Sequence, residues 1–118
     1  MVESVNPKRG EMVIKLGKKT HKGRITLDVI MRIETALNIG VVEATRKLSD
    51  GTLTLTEMLA ILTPVIRAGG NDVTEKDVAK FVESSGYRSA MTEAGNILMA
   101  ILSDGTDEGN EEEAVEVA

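Results

Sequence analysis

The chain has 118 residues, 42% of them hydrophobic and none of them cysteine; it suits one small globular domain without disulfides, thiol catalysis or cysteine-based zinc sites. Aromatic residues make up only 2%, which disfavours stacking platforms for single-stranded nucleic acid. The formal net charge of −5 is uneven, since the first 24 residues are basic and residues 104–118 hold seven acids and no base. No signal peptide or membrane-spanning apolar run of roughly 20 residues is visible, so we expect the chain to be made in the cytosol.

After a polar arm over residues 1–10, which we predict to be flexible, the first expected element is a β-hairpin over residues 11–25. Residues 11–16 alternate between apolar and polar side chains and place Met12, Ile14 and Leu16 on one face. Gly17 and Lys18 suit a two-residue type II′ turn, and the polar residues that follow would form the returning strand. Because an isolated hairpin is unstable, it needs a helical layer beneath it.

Helices are predicted over residues 27–102, beginning with one over 27–38 and a short one over 41–48. Thr26 is the expected N-cap of the first helix, and Gly40 is its expected left-handed C-cap. The first helix shows an apolar stripe that we expect to be buried. Its members are Leu27, Ile30, Met31, Ile33 and Leu37.

The third predicted helix, over residues 55–68, carries the widest apolar surface and is therefore expected at the centre of the fold. Thr54 and Glu57 match a capping box at its start. Pro64 lies on the face opposite the apolar stripe, where we expect a kink. A fourth helix is predicted between Thr74 and Gly86, and a fifth over residues 88–102. Residues 69–72 (GGND) lack the features of a phosphate loop and are interpreted as a turn.

The expected fold class is therefore α+β, mainly α. An N-terminal β-hairpin precedes a bundle of four to five helices, and together they form a single globular domain over residues 11–103. The acidic residues 104–118 lack aromatic side chains and are predicted to be a disordered tail.

Two residues were considered as catalytic groups, and neither has an identifiable partner. His21 lies in the basic second strand and is interpreted as an exposed surface residue whose protonated form the neighbouring lysines disfavour. Glu34 lies within the predicted apolar stripe of the first helix, where a lone carboxylate needs a partner. We interpret Glu34 as a buried structural carboxylate that accepts from a backbone N–H or pairs with a base such as Arg24; the alternative is a catalytic acid. We predict no catalytic, cofactor-binding or metal-binding residue, and no enzymatic activity.

Two surfaces are candidates for binding a partner. The basic hairpin is suited to phosphates or an acidic protein, although lysines also protect a strand edge against pairing with another sheet. An internal alternative is that the acidic tail folds back and masks the hairpin. The third helix presents apolar residues, among them a methionine that repacks easily. The candidate partner-binding residues are Lys15, Lys18, Lys19, Lys22, Arg24, Met58, Leu59 and Ile66.

The order of these segments resembles that of the small tail proteins encoded by gene transfer agents and related long-tailed phages. The resemblance rests on residues 9–17 (RGEMVIKLG), residues 24–27 (RITL), and Ile33, Glu34, Ala36 and Leu37. It continues through residues 55–70, which end in IRAGG, and through the helix that follows Thr74. It covers about residues 9–102, and its motifs are turns, caps and apolar positions.

This resemblance implies a role in tail morphogenesis, in the host cytoplasm and in association with the virion. Members of the family are described as tail-tube proteins or as tail assembly chaperones, which coat the tape-measure protein before the tube polymerises around it. A tube subunit normally needs a large β-sheet to close a ring. The single predicted hairpin therefore favours the chaperone, whose apolar helix faces would shield a long helical client.

The partners expected from the resemblance are other phage tail proteins, above all the tape-measure protein, with self-association as a further expectation and no membrane. The first alternative is a tail-tube subunit of the same family. The second is a small regulatory or nucleic-acid-binding protein that uses the basic hairpin, although the acidic tail makes nucleic acid a disfavoured partner.

Overall fold

The computed structural model describes residues 5–107, and within that range the chain forms a two-stranded sheet and five α-helices. A short 3-10 turn, Pro7–Arg9, precedes the strands β1 (Glu11–Leu16) and β2 (Lys19–Arg24). The helices are α1 (Leu27–Leu37), α2 (Val41–Asp50), α3 (Leu55–Ala68), α4 (Glu75–Ser85) and α5 (Tyr87–Asp107). The predicted fold class, mainly α with an N-terminal hairpin, is confirmed.

The hairpin pairs antiparallel, with Leu16 opposite Lys19 across a two-residue turn. Gly17 has a φ of +68° while Lys18 does not have a positive φ, which is the pattern of the predicted type II′ turn. Ile14 and Leu16 are buried on the inner face of the sheet. Gly23 lies on the same face, and a Cβ added there would come within 2.8 Å of a Val65 methyl group. Its lack of a side chain lets α3 pack closely against the sheet.

The central position of α3 is confirmed, because this helix packs against β2, α1, α4 and α5. Its start is fixed by the predicted capping box, in which Thr54 Oγ1 accepts from the Glu57 N–H at 3.1 Å and Glu57 Oε1 accepts from the Thr54 N–H at 2.9 Å. Its large apolar residues belong to one core cluster that also includes residues of β1 and of the other four helices. The fully buried members on α3 are Met58, Ile61, Leu62, Val65 and Ile66.

The predicted stripe of α1 is confirmed for Ile33 and Leu37, which are buried, and for Ile30, which packs against the core, but it is wrong for Leu27 and Met31. The residues that α1 buries are Val29, Ile33 and Leu37, whereas Leu27 is 74% exposed and Met31 is 59% exposed. Val29, Ile33 and Leu37 form one apolar row on this helix, and Leu27 and Met31 form a second row beside it. Because α1 packs mainly against α3 along one side, only one row can be covered.

The end of α1 also differs from the prediction. Asn38, not Gly40, adopts the left-handed conformation with a φ of +60°, while Gly40 has a φ of −77° and serves as the N-cap of α2. Asparagine is the residue other than glycine that most readily adopts this conformation. The C-cap of α1 is therefore Asn38, two residues before the predicted C-cap Gly40.

Both ends of the predicted domain extend further than expected. α5 continues beyond Leu102, the predicted end of the fifth helix, as far as Asp107. The single glycine in this stretch, Gly105, does not stop a long helix whose earlier turns are packed. At the other end, Pro7–Arg9 is a turn, and the Gly10 carbonyl accepts from the Ile25 N–H at 2.8 Å. The predicted flexible arm is therefore attached to the sheet over its described part. The tail prediction for 108–118 and the arm prediction for 1–4 lie outside the described residues.

The outer edge of β2 and the hairpin turn both contact other elements of the fold. Asn71 Nδ2 donates to the carbonyl oxygens of Lys22 at 2.8 Å and Ile66 at 3.0 Å, so it joins the outer edge of β2 to the end of α3. A Cβ added at Gly69 would collide with the Lys22 carbonyl, which explains why glycine is needed there. In the turn between the strands, the Gly17 N–H donates to Ser89 Oγ at 3.3 Å. The segment that we interpreted as a simple turn therefore also closes one sheet edge.

Candidate functional site

The base of the hairpin is held by an ion-pair cluster centred on Glu11. Its carboxylate lies 3.5 Å from Lys22 Nζ and 4.0 Å from Arg9 Nε, and it accepts from the Asn6 N–H at 2.7 Å. The hydrogen bond from Asn6 lowers the pKa of Glu11; burial opposes this shift and the charges of Lys22 and Arg9 assist it. Arg24 Nε donates to the Arg9 carbonyl at 3.0 Å. Of the candidate partner-binding cations, Arg24 therefore fastens the N-terminal turn to the hairpin, and Lys22 pairs with Glu11 across the two strands.

The other three candidate cations of the hairpin are exposed but point in different directions. The pairing register places Lys15 on the outer face of the sheet, opposite Thr20, and Lys19 on the inner-face side, opposite Leu16. Lys18 lies in the turn between the strands. The strand period therefore separates these charges, and the described part of the hairpin does not form one basic patch.

His21 is not the exposed residue that the sequence indicates. It is half-buried, and its ring centroid lies 4.7 Å from that of Phe81 on α4. Burial lowers the pKa of His21, and the nearby charge of Lys19 lowers it further. Its buried Nε2 has no hydrogen-bond partner within residues 5–107. The Phe81 contact joins segments 60 positions apart and left no local signal in the sequence.

Glu34 acts on the neighbouring helix. Its side chain is half-buried, and Oε2 accepts from the Val41 N–H at 2.9 Å. Val41 is the first residue of α2, and its N-cap, Gly40, has no side chain with which to cap the helix. Glu34 supplies the missing acceptor, and its negative charge suits the positive end of α2. This contact corresponds to the structural interpretation of Glu34, with partial rather than full burial.

A buried carboxylate that we did not predict is Glu93 on α5, which is only 8% exposed. Burial raises the pKa of Glu93; hydrogen bonding with Asn96 and with the backbone of Lys15, and the charge of Lys15, oppose the shift. Its Oε1 has no hydrogen-bond partner in the described part of the chain. Glu93 lies one turn before the buried Ile97, and that spacing is the signal that could have indicated its position.

Among residues 5–107, no group of three or more histidine, aspartate or glutamate side chains is placed to hold a metal ion. In the same part of the chain, no helix combines the length and apolar character needed to cross a membrane.

The candidates on α3 divide into two core residues and one surface residue. Met58 is 1% exposed and Ile66 is 0% exposed, so neither can contact a partner while the domain is folded. Placing them on a binding surface was wrong, because neighbouring elements enclose the apolar side of α3. Leu59 is half-buried and lines a cleft of about 280 Å³ with Leu55 and Tyr87, between α3, α4 and the start of α5.

An open depression of about 580 Å³ lies between α1 and α3. On the α1 side, Arg32 and Ala36 also line a shallower depression that includes the exposed Met31, so the two form one continuous surface. We call the deeper depression the α1–α3 groove. Its lining residues are Asp28, Val29, Arg32, Ala36, Ala60, Thr63, Pro64, Arg67, Ala68 and Glu75.

Comparison with known proteins identifies a family. The family model described as phage tail tube protein, GTA-gp10, matches residues 9–106, a range that includes the hairpin and almost all of the five helices. Neither the curated proteins nor the solved structures yield a significant match. The predicted resemblance to gene transfer agent and phage tail proteins is thereby confirmed. The chain belongs to the family of the phage tail tube protein GTA-gp10, and its role is a structural or morphogenetic one in a phage-type tail.

Proposed function

We propose that this protein is a tail assembly chaperone that binds the tape-measure protein and shields it until the tube polymerises around it. The observation that carries the proposal is the small size and closed edges of the sheet. Residues 5–107 contain two strands. Asn71 bonds to the outer edge of β2, Ser89 bonds to Gly17 in the turn, and Glu93 is hydrogen-bonded with the Lys15 backbone of β1. A subunit that builds a tube by joining sheets needs strand edges that are free to pair. Sheet pairing here would first have to break these contacts.

Exposed apolar side chains on the helices support the same function. Leu27 and Met31 lie one turn apart on α1 and are 74% and 59% exposed. Residues four apart on a helix present one continuous surface. An apolar row of this kind is suited to an amphipathic helix of a client protein, and a tape-measure protein is the long helical client that such a chaperone would protect.

The proposed activity is binding and requires no chemical step. The two side chains that the sequence offered as catalytic candidates each have a structural contact. His21 packs against Phe81, and Glu34 caps α2 through the Val41 N–H.

Co-expression of the full chain with the tape-measure protein encoded beside it tests the proposal. We expect the two proteins to co-purify as one species in size-exclusion chromatography with light scattering, and the tape-measure protein to be more soluble than when it is expressed alone. Electron microscopy of the chain by itself provides the opposing measurement. Tubes formed by the chain alone, together with a tape-measure protein that stays insoluble, would assign a tube-subunit role and contradict the chaperone.

A further inference from the structure

We propose that residues 108–118 dock onto the base of the hairpin of the same chain, with two valines in an apolar cleft and the glutamates facing the surrounding cations. The base of the hairpin is here the cleft beside the N-terminal turn together with the cations Lys8, Arg9, Lys22 and Arg24. The other lysines of the hairpin lie on different faces or in the turn and are not part of the site. This contact lies within one chain and does not depend on the chaperone function.

A cleft of about 230 Å³ lies between the N-terminal turn, the open end of the hairpin and α5. The half-buried side chains of Met12, Ile25 and Ala100 give it apolar walls. It is smaller than the roughly 300–1,000 Å³ of a pocket for a drug-sized ligand, so it suits the side chains of a short peptide segment. Ser103 also lines the cleft, and α5 ends at Asp107. The segment that follows α5 therefore begins about 6 Å, one helical turn, beyond the cleft.

The sequence of residues 108–118 combines negative charge with small aliphatic side chains. It has five glutamates and no base, and Val115 and Val117 flank Glu116. In an extended chain this spacing places the two valines on one side and Glu116 on the other. The seven steps from Glu108 to Val115 reach up to about 23 Å. That reach exceeds the single helical turn between the end of α5 and the cleft, so the valines can return to it.

The cations at the base of the hairpin outnumber the acids. Glu11 is the one acid among residues 5–25, and its carboxylate is shared between Lys22 at 3.5 Å and Arg9 at 4.0 Å. The side chain of Arg9 is 60% exposed, and Lys8 is exposed beside it. Surface ion pairs are individually weak and are screened by salt, so the covalent attachment, which raises the local concentration of the segment, is essential. An acidic partner would reach these cations only by displacing the segment.

The test determines which residues the segment approaches in the full chain. Because the chain has no cysteine, Ala118→Cys provides one site for a nitroxide spin label next to Val117 and leaves both valines in place. The loss of backbone amide signals in NMR spectra then shows which residues the label approaches. The hairpin contains its own reference, since the turn at Lys18 lies about 20 Å from the base along the strands.

At low ionic strength we expect the amide signals of Met12, Ile25 and Ala100 to lose most of their intensity and those of the turn to keep it. High salt should restore part of the lost signal because it screens the ion pairs. Replacing both valines by serine, as Val115→Ser with Val117→Ser, should abolish the localised loss while residues 5–107 stay unchanged in sequence.

Charge reversal distinguishes a defined site from a general attraction between opposite charges. Lys8→Glu combined with Arg9→Glu should reduce the signal loss at the cleft, and adding Glu112→Lys and Glu113→Lys to that chain should restore it. Lys18→Glu is the matched control, because it makes the same change of charge at the exposed turn, and it should leave the pattern unchanged. Circular dichroism and thermal unfolding verify that each variant is folded.

Three results would overturn the inference. If the spin label causes no signal loss, or a loss spread evenly over the surface, the segment has no site on the domain. If Lys18→Glu reduces the loss as much as the double reversal does, the attraction is unspecific. If a mixture of isotope-labelled and spin-labelled chains shows the same loss at the cleft, the segment docks onto another copy. None of these results affects co-purification with the tape-measure protein, so the two proposals fail independently.

Discussion

The helices α3 and α1 are both rich in large apolar residues, yet the fold treats them very differently. On α3, five large apolar side chains are almost completely buried. On α1, the residues Val29, Ile33 and Leu37 are buried, and the neighbouring Leu27 and Met31 are exposed. The difference lies in the number of elements that surround each helix. α3 packs against the sheet and three helices, whereas α1 packs mainly against α3 and to a smaller extent against α2.

A wide apolar stripe is fully covered only at the centre of a fold. At the periphery, contact with one main neighbour covers a narrow row, and the remaining apolar residues stay in water. Exposed apolar residues beside a groove are then available to a partner. α3 therefore forms the centre of the core, and α1 supplies an exposed apolar surface on which the proposed client binding depends.

The largest expected effect comes from two matched methionine truncations. Met58→Ala removes a core side chain of α3 that is 1% exposed, and it should lower the free energy of unfolding by about 2–5 kcal/mol because it leaves a cavity. Met31→Ala on α1 removes a side chain that is 59% exposed, and it should change the same quantity by no more than about 0.5 kcal/mol. Urea unfolding followed by circular dichroism measures both. Equal losses would contradict the assignment of Met31 to the surface.

The next effect concerns the attachment of α3 to the sheet. Asn71→Ala removes the hydrogen bonds to the Lys22 and Ile66 carbonyls, and the free energy of unfolding should fall by about 1–3 kcal/mol because these acceptors lose a partner. Asp72→Ala, at the exposed next position, is the control and should stay within about 0.5 kcal/mol of the wild type. Hydrogen exchange of the β2 amides should accelerate in Asn71→Ala. Unchanged exchange together with unchanged stability would show that Asn71 does not join these elements.

A smaller effect distinguishes the two helix starts. Thr54 takes part in a reciprocal capping box, and Glu57 also accepts from Lys47 Nζ at 2.7 Å. Thr26 accepts a single hydrogen bond, from the Val29 N–H at 3.2 Å. Thr54→Ala should therefore reduce stability by about 1 kcal/mol and Thr26→Ala by about 0.5 kcal/mol, within the range for lost N-caps. The reverse order in thermal or urea unfolding would mean that α1 depends more on its cap than α3 does.

The smallest expected effect is a pH dependence at Glu93, a buried carboxyl group on α5. Burial raises its pKa in the folded chain, so the folded state holds the proton more tightly than the unfolded state. The contribution of Glu93 to stability is therefore greatest below its unfolded pKa and declines as the pH rises through the folded value. Glu93→Gln stays neutral and avoids this decline. Its stability relative to the wild type should increase with pH over that window and then level off.

Unfolding curves at a series of pH values measure this difference, with Glu83→Gln on the exposed side of α4 as the control. The Glu83→Gln control should show how much the loss of one exposed carboxyl group changes the pH dependence of the free energy of unfolding. If the relative stability of Glu93→Gln fell as the pH rose, the contacts with Lys15 would outweigh burial and the raised pKa of Glu93 would be wrong.

Local sequence signals correctly predicted those turns and helix ends that depend only on residues nearby in the chain. The type II′ turn at Gly17, the capping box of Thr54 with Glu57, and the extent of α3 all follow from contacts within a few positions of the chain. The family resemblance also depends on such signals, because turns and caps keep their spacing. These features need no knowledge of distant segments, so the sequence alone was sufficient for them.

Three side-chain contacts that join distant segments were not predicted from the sequence. The contact of His21 with Phe81, the bonding of Asn71 to Lys22, and the burial of Glu93 beside the Lys15 backbone each join separate elements. The groove likewise needs α1 and α3 side by side, although its alanines and Pro64 are visible in the sequence.

The amino-acid sequence by itself determined where helices and strands form, because hydrogen-bond caps and apolar periodicity act over a few residues. Only the tertiary structure decided which apolar row of α1 is buried and which remains exposed beside the groove. The physical reason is that burial depends on the number and direction of neighbouring elements, and the periodicity of one helix contains no information about either.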